Sequence, residues 1–187
     1  MPGTGGSPAG NKRPDPGAWH GRDLKEAQKP LKDRYRAEPS EARITLTARG
    51  SEASGAAAAC SVDIGRAVYE AQAHAGVGGS GTAPCSGDLL LGALAACAQV
   101  TCQMVAAASG IPTERIEVTA EGELDLRGTL GIDREVAVGF DRIVLRFDVE
   151  GAGDRRDELI EKTLRYCVVL QTLRSSPPVS AAITAAS

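Results

Sequence analysis

Apolar residues change their spacing along this chain, and the longest change is at residues 85–110, CSGDLLLGALAACAQVTCQMVAAASG, where no charge occurs between Leu89 and Thr113. Ser86 or Gly87 as a cap, Asp88 in the first turn and Gly110 followed by Ile111-Pro112 predict a helix over about residues 87–109. With 3.6 residues per turn, Leu90, Ala93, Leu94, Val100, Thr101, Met104 and Ala108 share a face with Cys97. The run is long enough to cross a bilayer. It is nonetheless rich in Ala and Gly, carries Gln99, Thr101 and Gln103, and has neither an aromatic belt nor basic flanks. The expectation is a central helix wrapped by protein, with no membrane.

Elsewhere the period shortens to two. Residues 42–48 (ARITLTA) and 60–71 (CSVDIGRAVYEA) alternate and read as strands about a small-residue turn; the glycine-rich run at 74–84 reads as a loop. After the central helix, Ile116, Val118 and Ala120 alternate inward, as do Ile143, Leu145, Phe147 and Val149, giving two half-buried strands joined by RGTLGIDREVAVG. A second helical region starts at Asp154 and ends before Pro177-Pro178, after which PVSAAIT can add a short strand. Near the N-terminus, Leu24, Gln28, Leu31 and Tyr35 lie at helical spacing through Pro30. Residues 1–22, with six Gly and four Pro, read as a disordered tail. The predicted organisation is a tail at 1–22, a helical segment at 23–41 and one α+β domain at 42–187.

Composition narrows the functions. A net charge of -3 with only two Phe, one Trp and three Tyr lacks the basic footprint and stacking rings of a nucleic-acid binder. The glycine-rich loop has no GxxxxGK[ST] pattern, so its glycines point to close packing rather than to phosphate. Five cysteines, none in a CxxC pair, and two histidines make zinc an unlikely resident. Unpaired thiols and an N-terminus without an apolar export region point to the cytoplasm. A thiol on an apolar face in the middle of a helix is inert unless something stabilises its charge, so Cys97 would need a cation delivered from elsewhere in the chain. Cys60 and Cys102 read as core residues. Cys85, twelve residues before Cys97, is a candidate third redox thiol.

The segments GDLLLGALAACAQVT, IPTERIEVTAEGELD and RYCVVLQTL, with a cysteine in the first and last, resemble the OsmC/Ohr superfamily over roughly residues 42–184. QKPLKDRYRAEPSEA, GTLGIDREVAVGF and Cys85-Ser86-Gly87-Asp88 resemble a subgroup with an N-terminal extension. The resemblance implies an α+β OsmC-like fold whose antiparallel sheets wrap long central helices in an intertwined homodimer. It implies cysteine-based reduction of an organic hydroperoxide in oxidative stress defence, with Cys97 attacking, Cys167 resolving, and a dithiol or lipoyl-bearing protein restoring the pair. No metal or organic cofactor is implied. The family's arginine from the N-terminal strands falls nearest Arg49, with Arg43 and Arg66 as fallbacks. Two places depart from the family pattern: Ser86-Gly87 stand where many members have Pro-Glu, and Val168 stands where the second cysteine is followed by proline. A non-catalytic OsmC-like protein that binds a small apolar ligand, or serves as a stress-associated scaffold, is the competing expectation.

Overall fold

The structure is a computed structural model; residues 21–46, 48–52, 59–64 and 67–183 are described. The predicted tail at 1–22 lies outside them except for its last two residues, which already belong to the first helix, α1 (Gly21–Ala37). This helix runs through Pro30 and packs on the central helix. An Arg34–Glu41 ion pair of 2.8 Å ties it to the 3₁₀ turn Pro39–Ala42 that follows.

Strands β1 (Arg49–Glu52), β2 (Ala59–Asp63) and β3 (Val68–Gln72) form an antiparallel sheet in that order. The described residues of the run 42–48, predicted as a strand, are not in one. Ile44 and Leu46 are 76% and 86% exposed, and among the described residues the alternation finds no partner strand to pair its backbone in a ladder. The run 60–71 proves to be two strands, because the Ile64 N–H bonds to the Ala67 carbonyl at 3.1 Å and folds the chain back.

Helix α2 (Ser86–Ser109) is the long element of the fold. Its cap is Cys85 rather than Ser86 or Gly87: the Asp88 carboxylate reaches back to accept from the Cys85 backbone N–H at 2.9 Å. Its end is set by Gly110 at φ 63°, a left-handed position that glycine takes without cost, with Ile111 N–H returning to the Ala106 carbonyl at 2.9 Å. Among the described residues α2 is the one helix long and apolar enough to span a bilayer, but here it carries protein along one side.

That side is the two-stranded antiparallel sheet of β4 (Arg115–Glu123) and β5 (Arg142–Glu150) together with α4 (Arg156–Tyr166) and α5 (Val168–Arg174). Ile116, Val118 and Ala120 lie across from Val149, Phe147 and Leu145 and face inward, as their alternation predicts. Outward, Arg115 bridges Glu117, Asp148 and Glu150 on the exposed face. A short helix, α3 (Leu126–Thr129), lies in the connection between the strands. The second helical region is split at Cys167 into α4 and α5, and the described residues after Pro177-Pro178 form no strand, leaving Val179 and Ile183 exposed.

The core lies between α2 and these elements. Cys102, Val105 and Ala106 pack with Ile111, Val149, Ala152 and Leu159, while Leu94 and Ala98 pack with Cys167. The buried stripe of α2 is therefore centred near Ala98, one residue or about 100° round the helix from the stripe predicted on Cys97. Leu90, Val100 and Met104, predicted as Cys97's buried neighbours, are 38%, 52% and 38% exposed. Cys97 stands on the boundary between the covered and uncovered faces.

Candidate active site

Cys97 and Cys167 arrive at one place from opposite sides. Cys97 is half-buried in the middle of α2; Cys167 is fully buried at the break between α4 and α5. The break has a simple geometry. Cys167 ends α4, its N–H bonding the Thr163 carbonyl at 2.9 Å, and then turns extended (φ -70°, ψ 107°) to become the residue ahead of α5. A helix start leaves its first backbone N–H groups without partners in the helix. Those of Val168 and Val169 turn to the Cys97 sulfur.

The electrostatics of the two thiols then diverge. Burial pushes the Cys97 thiol up, but the Val169 N–H, the Cys167 thiol, the Thr101 hydroxyl and the Val168 N–H together outweigh it, and its pKa falls below the ordinary thiol value. Cys167 moves the other way. Burial raises it, the Leu170 N–H offsets part of that, and the neighbouring Cys97 raises it again by hydrogen bond and charge. Of the two, Cys97 is therefore the thiol that ionises more readily, and Cys167 the one that holds its proton and donates to it.

Neutral donors thus lower Cys97 within the described residues. Among the described residues no cation takes part. Arg49 opens β1 opposite Asp63, and its side chain lies outside the described residues, as does Arg66; Arg43 is exposed in the unpaired segment after the 3₁₀ turn. The Thr101 and Val168–Val169 contributions were missed from sequence. Thr101 sits four residues after Cys97, the spacing that stacks side chains on one helix face, and a β-branched residue in place of proline at 168 signals an additional N–H.

The other cysteines separate cleanly. Cys102 is fully buried, and burial raises its pKa against one opposing hydrogen bond from Thr163. Cys60 lies in β2, with its side chain outside the described residues. Cys85 is twelve residues from Cys97, about 18 Å along the helix at 1.5 Å per residue, so it does not join the pair. Asp88 faces this other end, where its bonds to Cys85 hold its carboxyl below the usual range. The place of the family glutamate, Gly87, is closed over by Phe140, whose Cζ lies 3.3 Å from where a Cβ would stand. Among the described residues no group of three or more His, Cys, Asp or Glu side chains is arranged to hold a metal.

A half-buried and a buried thiol joined between a central helix and a helix break, under an antiparallel sheet, define an α+β protein of the two-thiol type. The family model for OsmC-like proteins matches residues 79–182, more than half of the chain, and the chain belongs to that family. Solved structures agree in fold. An organic hydroperoxide resistance protein from Elizabethkingia anophelis superposes with a TM-score of 0.58 at 20% identity, covering 72% of this chain and 91% of the other. An organic hydroperoxide resistance protein OsmC from Legionella pneumophila gives 0.56 at 21% identity over 71% and 90%. An OsmC-like protein from Mycoplasma pneumoniae gives 0.56 at 19% over 72% and 89%. No curated protein matches by sequence.

Proposed function

We propose that this protein is a cysteine-based thiol peroxidase that reduces organic hydroperoxides. The observation that carries the reading is the opposed polarisation of two adjoining thiols, Cys97 below and Cys167 above the ordinary range. In the proposed cycle the Cys97 thiolate attacks the outer oxygen of R–O–O–H, the O–O bond breaks, and the alcohol leaves with a proton. The resulting Cys97 sulfenic acid condenses with the Cys167 thiol, forming a disulfide and releasing water. A dithiol, small or lipoyl-borne, reduces the disulfide by exchange. Cys167 is suited to the second step because it stays protonated and unreactive until the sulfenic acid forms beside it.

The working form is proposed to be a homodimer in the cytoplasm. One chain leaves Val100, Met104 and Leu90 of α2 uncovered next to Cys97, and a second chain laid on that face would bury them and close the site. In that assembly Arg49 would supply a guanidinium to the thiolate and to the peroxide oxygens. The test is consumption of cumene hydroperoxide with dithiothreitol as reductant. The Cys97→Ser variant is expected to lose at least about a thousandfold in rate, as removal of a nucleophile does. Full activity in that variant overturns the reading. Sedimentation is expected to show a dimer at micromolar concentration, and a stable folded monomer would contradict the assembly.

A further inference from the structure

The two sulfurs of the pair are closed off to different degrees and by different neighbours. Cys167 is 0% exposed, seated with Leu94 and Ala98 of α2 beneath the sheet, where Val118, Leu145 and Phe147 pack on the cluster. All of these residues belong to its own chain, so a second chain can only add to the enclosure. Cys97 is half-buried, and the residues beside it on the uncovered face of α2, Ala93, Ala96 and Val100, are exposed. A dimer that covers part of this face must still leave a way in, because the hydroperoxide of the proposed cycle has to reach Cys97 itself.

This inequality decides the step that restores the thiols. Exchange begins when a thiolate attacks one sulfur of the disulfide, and displacement at sulfur runs in line, the attacker entering opposite the sulfur that leaves. With Cys97 joined to Cys167, a thiolate aimed at the Cys97 sulfur comes from the uncovered side of α2, away from Cys167. One aimed at the Cys167 sulfur would have to come through the packed interior, since no surface of Cys167 meets solvent. Leaving-group chemistry pulls the other way. The thiol of lower pKa leaves faster, and of the two that is Cys97. The two demands are unequal: leaving-group quality changes a rate by degrees, whereas an enclosed sulfur reacts only when the structure around it opens.

We infer, on the reading that Cys97 and Cys167 form one redox pair, that the reductant enters at Cys97: the regenerating thiol forms a mixed disulfide on Cys97, and Cys167 is the thiol released. In the step, an external thiolate R–S⁻ attacks the Cys97 sulfur, an R–S–S–Cys97 bond forms and the Cys97–Cys167 bond breaks. The electron pair goes to Cys167, which takes up the proton that R–SH gave up on ionising. The Leu170 and Val169 N–H groups face the Cys167 sulfur and meet its charge as it leaves. A second thiolate, from the same dithiol or from another molecule, then attacks the R sulfur and expels Cys97 as the thiolate, so the reductant departs as a disulfide. Cys97 thus meets both the oxidant and the reductant, and Cys167 meets neither.

The test forms the disulfide in the full chain with diamide rather than peroxide, so that linkage without peroxide turnover fails the proposed function and leaves this inference standing. The oxidised protein is mixed with 2-mercaptoethanol, exchange is stopped with acid, and the adduct is located by peptide mapping. An adduct on Cys97 with Cys167 free is expected. An adduct on Cys167 with Cys97 free overturns the inference, as does the absence of a Cys97–Cys167 linkage after diamide. A second measurement does not depend on the lifetime of the adduct. Methyl methanethiosulfonate labels Cys97 in Cys167→Ser and Cys167 in Cys97→Ser, and the rates are compared per ionised thiol from their dependence on pH. Cys97 is expected to react at least about tenfold faster in the folded proteins, and the difference to vanish in urea, where burial is gone. A smaller ratio in the folded proteins, or the same ratio in urea, overturns the inference.

Discussion

Cys97 and Cys102 lie five residues apart on the same helix, and their chemistry is opposite. Cys102 is fully enclosed, its one opposing hydrogen bond is from Thr163, and its pKa is raised. Cys97 is at the edge of the same buried stripe, faces the break between α4 and α5, and its pKa is lowered. Burial acts upward on both, and more completely on the enclosed Cys102. The rest of the difference is the number of donors aimed at the sulfur, and all of those on Cys97 except Thr101 come from a break in another helix. A mid-helix thiol that lacks the help of its own N-terminus can thus borrow the start of a neighbour.

Removing the partner thiol should break this comparison most severely. With Cys167→Ala, steady turnover with dithiothreitol is expected to fall by about a hundredfold or more, because the sulfenic acid has no neighbour to condense with. One turnover should remain, with a dimedone-trappable sulfenic acid at Cys97. Continued full turnover would remove Cys167 from the resolving role.

Arg49→Ala follows in expected size. If a guanidinium reaches the site in the dimer, peroxide consumption should drop by about tenfold to a hundredfold, comparable to loss of one transition-state donor, and Arg49→Lys should recover little of it because the planar fork is gone. Unchanged rates in both would leave the neutral donors as the sole stabilisers, and Arg43→Ala and Arg66→Ala would then be measured for the same effect.

A gentler probe is Thr101→Val, which removes a hydroxyl and keeps the shape. Losing a donor to the thiolate must raise the Cys97 pKa. The iodoacetamide rate against pH should therefore shift to higher pH, with slower alkylation on the rising part of the curve and the same plateau at high pH where the thiol is ionised in both proteins. A shift to lower pH would mean that the hydroxyl accepts from the thiol rather than donates to it. The smallest effect on catalysis belongs to Cys102→Ala. Peroxide turnover should be unchanged, while stability in urea falls by about 1–2 kcal/mol for the buried volume lost. A loss of turnover without a loss of stability would make Cys102 part of the site.

Much of this could be read in the chain, for reasons visible at particular residues. The central helix was legible because Asp88 and Gly110 bracket a run without charge, and β4 and β5 because Ile116–Val118–Ala120 and Ile143–Leu145–Phe147–Val149 alternate cleanly. Residues 42–48 misled because alternation reports a strand only where a partner exists, and Ile44 and Leu46 have none among the described residues. The buried face of α2 was misplaced because Leu90, Val100 and Met104 are as apolar as the residues that are covered, so composition could not tell which side the sheet takes. Cys97 and Cys167 were found through the family pattern. Thr101, four residues on, and the non-proline Val168 were the signals available for the donors on Cys97, but the turn at Cys167 that aims the Val168 and Val169 N–H groups at it has neither proline nor glycine to mark it.

The central claim is that Cys97 and Cys167 form one redox pair, and peptide mapping by mass spectrometry before and after one equivalent of cumene hydroperoxide tests it most directly. A Cys97–Cys167 linked peptide, absent before treatment and reversed by dithiothreitol, is the expected result. Intact thiols at both positions after treatment, or a linkage joining Cys97 to any other cysteine, would contradict it.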